Sequence, residues 1–138
     1  MNNKNFSKLL SRINACGEAQ TWVTEHGGET SELWRDCERG DWMAWILVET
    51  QDRLGITRQQ IVLALCDCAE LSLKYFEKEY PKDTRPRQAI ETARKWAKGN
   101  ATEEQLKSAA SAAADAKNKT LKQCADIFRK HFPSLDFL

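Results

Sequence analysis

Lys82-Asp83-Thr84-Arg85-Pro86-Arg87-Gln88-Ala89-Ile90-Glu91-Thr92-Ala93-Arg94-Lys95-Trp96-Ala97-Lys98-Gly99 specifies one complete helix. Asp83 or Thr84 suits the position that accepts the first free amides. Pro86 suits the first turn, where its missing N–H is not needed. Ala89, Ile90, Ala93, Trp96 and Ala97 recur at helical spacing on one face, and Gly99 stops the helix. Nothing in the stretch is catalytic, and the same grammar repeats outward from it.

Upstream, Thr57 and Gln60 form a capping box that opens a long apolar segment from Ile61 to Phe76. Apolar residues cover most of its circumference, which predicts a central helix wrapped by the others and stopping near Tyr80-Pro81. Gln60, Asp67, Glu70 and Lys74 form its polar stripe, with Glu70 and Lys74 spaced as an i,i+4 pair. Earlier still, Phe6, Leu9, Leu10 and Ile13 mark one amphipathic helix, and Ala19, Trp22 and Val23 a second ending at Gly27-Gly28. A short helix carries Leu33, Trp34 and Cys37, capped by Thr30 or Ser31 and ended by Gly40. Asp41 is expected to cap a helix from Trp42 to Leu54, with Met43, Ile46, Leu47 and Leu54 inward.

Downstream, Thr102 and Gln105 repeat the capping box before Leu106–Ala116, where six of eleven residues are alanine. Asn118-Lys119-Thr120 offers a bend. The helical pattern resumes through Leu121, Cys124, Ala125, Ile127, Phe128 and Phe132, and Pro133 ends it. Leu135, Phe137 and Leu138 are expected to dock back on the body. No segment alternates with period two, so the fold class is all-α: an irregular bundle of about seven helices without a sheet, expected as one domain over residues 1–138.

Net charge is +1 over 138 residues, which gives no global pull toward nucleic acid or membrane. The distribution is uneven. Residues 1–80 hold nine Lys/Arg against thirteen Asp/Glu, a net of −4; residues 81–138 hold twelve against seven, a net of +5. Five cysteines at 16, 37, 66, 68 and 124 form no CxxC pair, and no signal peptide or long apolar run occurs. They read as reduced thiols used as small apolar core residues in a cytoplasmic protein.

Two histidines are too few for most hydrolytic or metal constellations. His26 and His131 read as helix-end residues, where positive charge is favoured. There is no P-loop, GxGxxG, HExxH or GxSxG, so no catalytic residue, cofactor or metal is expected. Glu49 and Asp52 lie beside Trp42 and Trp45 on one helical face. That grouping admits an acid/base pair, but an ordinary half-exposed face is the simpler reading. Asp67, between two cysteines, falls on the polar stripe and reads as solvated. The basic cluster Lys82, Arg85, Arg87, Arg94, Lys95 and Lys98 lacks the interleaved aromatics of a single-strand binder.

What remains is binding. Of the five tryptophans, Trp22, Trp34 and Trp96 sit on apolar faces and read as core. Trp42 and Trp45 lie toward an acidic face with Asp36, Glu38, Asp41, Glu49 and Asp52. Acidic residues around aromatic centres suit a basic protein partner, because opposite fields speed encounter and desolvated rings hold the complex. The candidate contact residues are Asp41, Trp42, Trp45, Glu49, Asp52, Arg85 and Arg87.

Three features together resemble a bacterial and phage family of all-helical putative immunity proteins associated with polymorphic toxin systems. They are Trp34-Arg35-Asp36-Cys37-Glu38-Arg39-Gly40-Asp41-Trp42-Met43-Ala44-Trp45-Ile46, the helix containing Leu65-Cys66-Asp67-Cys68-Ala69, and Asp83–Gly99 with the alanine-rich helix after it. The similarity spans roughly residues 15–118, and residues 119–138 depart from the family's usual alanine-rich continuation. The resemblance implies a non-catalytic, antitoxin-like inhibitor that occludes a protein partner. A phage accessory or anti-defence protein acting on a host factor is the alternative, and a homodimer stays open.

Overall fold

The structure, a computed structural model, describes residues 1–112 and 121–135, and for 109–112 and 121–124 their backbone alone. The described residues form eight helices: α1 (Asn3–Arg12), α2 (Gly17–His26), α3 (Thr30–Asp36), α4 (Gly40–Leu54), α5 (Arg58–Glu79), α6 (Arg85–Ala97), α7 (Glu103–Ala112) and α8 (Leu121–His131). Among them there is no strand; an isolated bridge joins Asn2 to Glu29. The fold is an all-α irregular bundle. The expected bend at 118–120, the end of the alanine-rich helix and the docking of Phe137 and Leu138 lie outside the described residues.

Local chemistry explains most boundaries. The Thr57–Gln60 box closes as expected, with Thr57 N–H donating to Gln60 Oε1 at 2.8 Å and Gln60 N–H to Thr57 Oγ1 at 3.2 Å. Thr102 and Gln105 repeat it. Asp83, rather than Thr84, serves α6: its Oδ1 accepts the Arg85 N–H at 3.1 Å. Gly55 ends α4 at φ +64°, in the left-handed region that glycine enters without strain.

Two starts differ from expectation. Glu29 precedes α3, and its N–H donates to Glu32 at 2.8 Å; Thr30 is instead buried, its hydroxyl accepting from the amino group of Met1 at 3.2 Å. Gly40 does not end α3 but opens α4, which places Asp41 inside the first turn. Its carboxylate favours that end of the helix dipole and binds Arg39, the residue just before the helix.

The buried residues fall into two clusters. The larger gathers α1, α3 and α4 around Leu9, Leu33, Trp34, Met43 and Leu47, and is completed by Ala125, Phe128, Phe132 and Leu135 from the C-terminal end. The smaller holds Cys66 and Leu73 of α5 with Ile90 of α6. α5 serves both, sending Ile61, Ala64 and Cys68 to the first. The wrapping of α5 is incomplete, however: Leu65 is 39% and Tyr75 65% exposed. On its polar stripe only Asp67 is partly covered, where Arg94 of α6 reaches it and Glu70.

α8 is latched to the N-terminal helices by polar bonds that span most of the chain. The Trp34 indole N–H donates to the Phe132 carbonyl at 2.7 Å in a buried setting. Arg129 donates to the carbonyls of Trp34 and Cys37 at 3.2 and 2.5 Å. These carbonyls belong to the C-terminal end of α3, whose last acceptors otherwise lack partners. A cation there also suits the helix dipole.

Candidate functional site: an aromatic recess beside α4

Between α2, α3 and the start of α4 lies a half-open recess of about 480 Å³. Its lining is dominated by Phe6, Leu10, Trp22, Trp34, Trp42 and Trp45, with Leu135 contributed from beyond α8. Four of the five tryptophans therefore converge on one hollow. Sealed and dry, a void of this size would cost on the order of 10 kcal/mol, comparable with a whole domain's stability. Being open, it is instead a place where apolar surface meets water. Buried side-chain polar atoms among the described residues all have hydrogen-bond partners, and the recess lining is mostly apolar, with Asn14 and Thr30 among its polar side chains.

Charge sits at the mouth. Arg39 grips Asp41 through Nε and Nη2 at 2.9 and 2.7 Å, and its guanidinium lies 4.4 Å from the centroid of the Trp42 ring. Glu18 approaches Arg39 at 3.7 Å. The hydrogen bonds from Arg39 hold the Asp41 carboxyl below the usual carboxylate range. Trp42 meets Trp22 of α2 at 6.1 Å between centroids. Cys37, at the base, has its thiol pushed up by burial, which keeps it neutral and unreactive at neutral pH. Cys16, expected in the core, is exposed at the start of α2 on the recess wall.

From the mouth, an exposed stripe runs along α4. Asp41, Trp45, Val48, Glu49 and Asp52 recur at three- and four-residue spacing opposite the buried face of Met43, Ile46, Leu47 and Thr50. Val48 is 44% exposed, an apolar point among the carboxylates. The sequence reading thus placed Asp41, Trp42, Trp45, Glu49 and Asp52 together, and the structure brings them to one helix beside the recess. Arg85 and Arg87 stand apart on α6, which packs on α5 and α7 whereas α4 packs on α8 and α5. Each already holds a carboxylate: Arg85 that of Asp83, Arg87 that of Glu77 at 2.6 and 2.8 Å.

Two readings change. Trp22 is half-buried on the recess wall, not core, whereas Trp34 and Trp96 are buried. Asp67 is half-exposed but paired: Arg94 of α6 donates to it at 2.7 Å, and His131 Nε2 lies 2.8 Å away. Burial alone would raise its pKa, but the hydrogen bonds from His131 and Arg94 outweigh that and lower it. Glu70 reaches Arg94 at 3.0 Å. A helical wheel of α5 shows the stripe but not the helix facing it, so sequence could not reveal these pairs. It also missed Glu18 and Arg39 as mouth residues. The Arg-Gly-Asp-Trp run at 39–42 was the available signal, since a cation two residues from a carboxylate and three from an indole can engage both.

Both histidines, with Asp36, Asp41 and Asp67, are engaged in structural pairs. Among the described residues no cluster of three or more His, Cys, Asp or Glu could hold a metal, and no helix is long and apolar enough to cross a membrane. Fold and recess together define an all-helical protein organised around an aromatic hollow with a charged rim. A comparison with family models narrows the class: the model described as "Imm-5 like putative immunity protein" matches residues 55–130. The chain belongs to that family. Neither a search of curated proteins nor one of solved structures gave a match.

The match covers α5 to α8 and leaves out the α4 stripe and every residue lining the recess. The Trp34–Ile46 segment, part of the resemblance noted above, lies outside it.

Proposed function

We propose that this protein is a non-catalytic, immunity-type inhibitor that acts in the cytoplasm by binding a toxin and covering its active surface. Family membership carries the reading. The partner is a protein with a basic face, and the contact is the α4 stripe of Asp41, Trp42, Trp45, Glu49 and Asp52. Supporting this are the exposure of the three carboxylates and of Val48 on one rigid helix and the depressed pKa of Asp41, which keeps its charge present. Arg85 and Arg87, exposed but already paired, form a secondary contact. Such a surface steers a cationic partner by long-range attraction and holds it with desolvated rings.

Co-expression with a toxin taken from the gene neighbourhood tests the reading. The expected result is rescued growth and an isolable complex of fixed stoichiometry, with no covalent change in the toxin. Rescue without a complex, accompanied by a chemically altered toxin, would instead make the protein an enzyme. A complex formed only with a host defence factor would favour the phage anti-defence role.

A further inference from the structure

We infer that the aromatic recess is an anchor pocket for one large apolar side chain of the partner protein, presented between basic residues. The inference rests on the proposed function and adds to it the chemistry of the partner's central contact.

Size comes first. A cavity of about 150 Å³ suffices to hold a benzene molecule, so about 480 Å³ admits an aromatic side chain with room for the chain that carries it. It also falls within the range of about 300–1,000 Å³ typical of ligand pockets. Polarity comes second. The lining is mostly apolar, led by Phe6, Leu10, Trp34, Met43 and Ile46, and of its uncharged polar side chains Thr30 is already bonded to the Met1 amino group. The inserted group is therefore a hydrocarbon or aromatic body. A polar group placed there would lose its water without replacement.

Charge at the rim decides what flanks it. Glu18, Asp41, Glu49 and Asp52 lie at the mouth or along the adjoining stripe, against Arg39 and the flanking Arg53, so carboxylates exceed guanidiniums by four to two. Arg39 shows what this rim accepts. Its guanidinium sits on the Trp42 ring with Asp41 and Glu18 beside it. A lysine or arginine next to the inserted ring would meet the remaining carboxylate oxygens and the outer faces of Trp42 and Trp45. A partner's own anchor residue makes such a hollow an interface centre, because a packed aromatic ring ringed by less critical contacts is how hot spots are built.

Three synthetic peptides test this: acetyl-Gly-Lys-Phe-Lys-Gly-amide, the same peptide with Ala for Phe, and one with Glu for both lysines. Free phenethylamine serves as the small-molecule arm. Binding is read from the indole N–H resonances of the intact protein, with Trp96, on α6 and outside the recess lining, as internal control. The Lys-Phe-Lys peptide should shift Trp22, Trp42 and Trp45 and leave Trp96 in place. The Ala and Glu peptides should bind at least about tenfold more weakly. Glu18→Lys, on a side chain 80% exposed, should weaken the Lys-Phe-Lys peptide by about threefold without changing the circular dichroism. Equal binding of all three peptides, shifts centred on Trp96, or phenethylamine binding as tightly as the peptide would each overturn the assignment. If these peptides fail while toxin rescue persists, the recess inference falls and the inhibitor reading stands.

Discussion

The end of the molecule built from α1 to α4 and closed by α8 differs in kind from the end built from α5, α6 and α7. The first buries aromatic and aliphatic side chains in a large continuous cluster, and still leaves a hollow among its tryptophans. Among the described residues, the second has a small cluster of Cys66, Leu73 and Ile90, and also buries Ala89, Trp96 and Leu106. It is tied laterally by charge: Arg94 to Asp67 and Glu70, Arg87 to Glu77, Arg58 to Glu103. Large side chains that cannot all interdigitate leave space, and a hollow persists when the surrounding helices are fixed from several sides. α8 and the residue after it do that fixing: Arg129 of α8 donates to the end of α3, and Trp34 of α3 donates to the Phe132 carbonyl. The family match falls on α5 to α8, the tie and its latch, while the recess is made almost wholly by residues before 55. The family match and the surface we propose for recognition thus lie on different stretches of one chain.

The contrast is sharpest in the energetics of single substitutions. Phe128→Ala, in the large cluster with the ring 1% exposed, should destabilise by about 4 kcal/mol in urea unfolding. Loss should be felt in hydrogen exchange of α3 and α4 as well as α8. Leu73→Ala, in the small cluster, should cost about 2 kcal/mol, near the bottom of the range for such changes, because its neighbours can collapse toward solvent. Equal costs would erase the distinction between the two ends. Trp34→Phe removes the indole N–H that the Phe132 carbonyl accepts; about 2 kcal/mol should be lost, since that setting is buried.

Charge ties make a smaller, salt- and pH-dependent difference. Arg94→Met should cost about 1 kcal/mol at low ionic strength and less in high salt, because the pairs are partly exposed. Asp67 has a folded pKa below the unfolded value of about 3.9. Its contribution is therefore complete above that unfolded value and disappears as pH falls through the folded one. Asp67→Asn should flatten the stability–pH curve below about pH 4. A variant that loses the same stability at every pH would show that Asp67 acts by packing alone.

How much of this the chain discloses depends on whether the cause is local. Capping boxes at Thr57 and Thr102, the Pro86 start and the Gly55 stop are contained in a few neighbouring residues, and the helices follow them. Gly40 misled because glycine both ends and begins helices, and only the Arg39–Asp41 pair decides between the two. The α4 stripe was legible because its residues share one helix. The recess was not: Trp22, Trp34 and Trp45 come from three helices, and their convergence depends on angles that no single wheel contains. Nor was the tie through Asp67, whose partners are 27 and 64 residues away.

We propose that recognition belongs to α4 and its recess, with α5 to α7 as support. This is tested most directly by the affinity for a cognate toxin of two double variants, Glu49→Lys/Asp52→Lys on α4 and Arg85→Glu/Arg87→Glu on α6. The first should weaken binding by about a hundredfold, mainly through slower association and lost desolvated contacts, and the second by less than about threefold. Undiminished affinity in the α4 variant, with the loss appearing in the α6 variant, would contradict it.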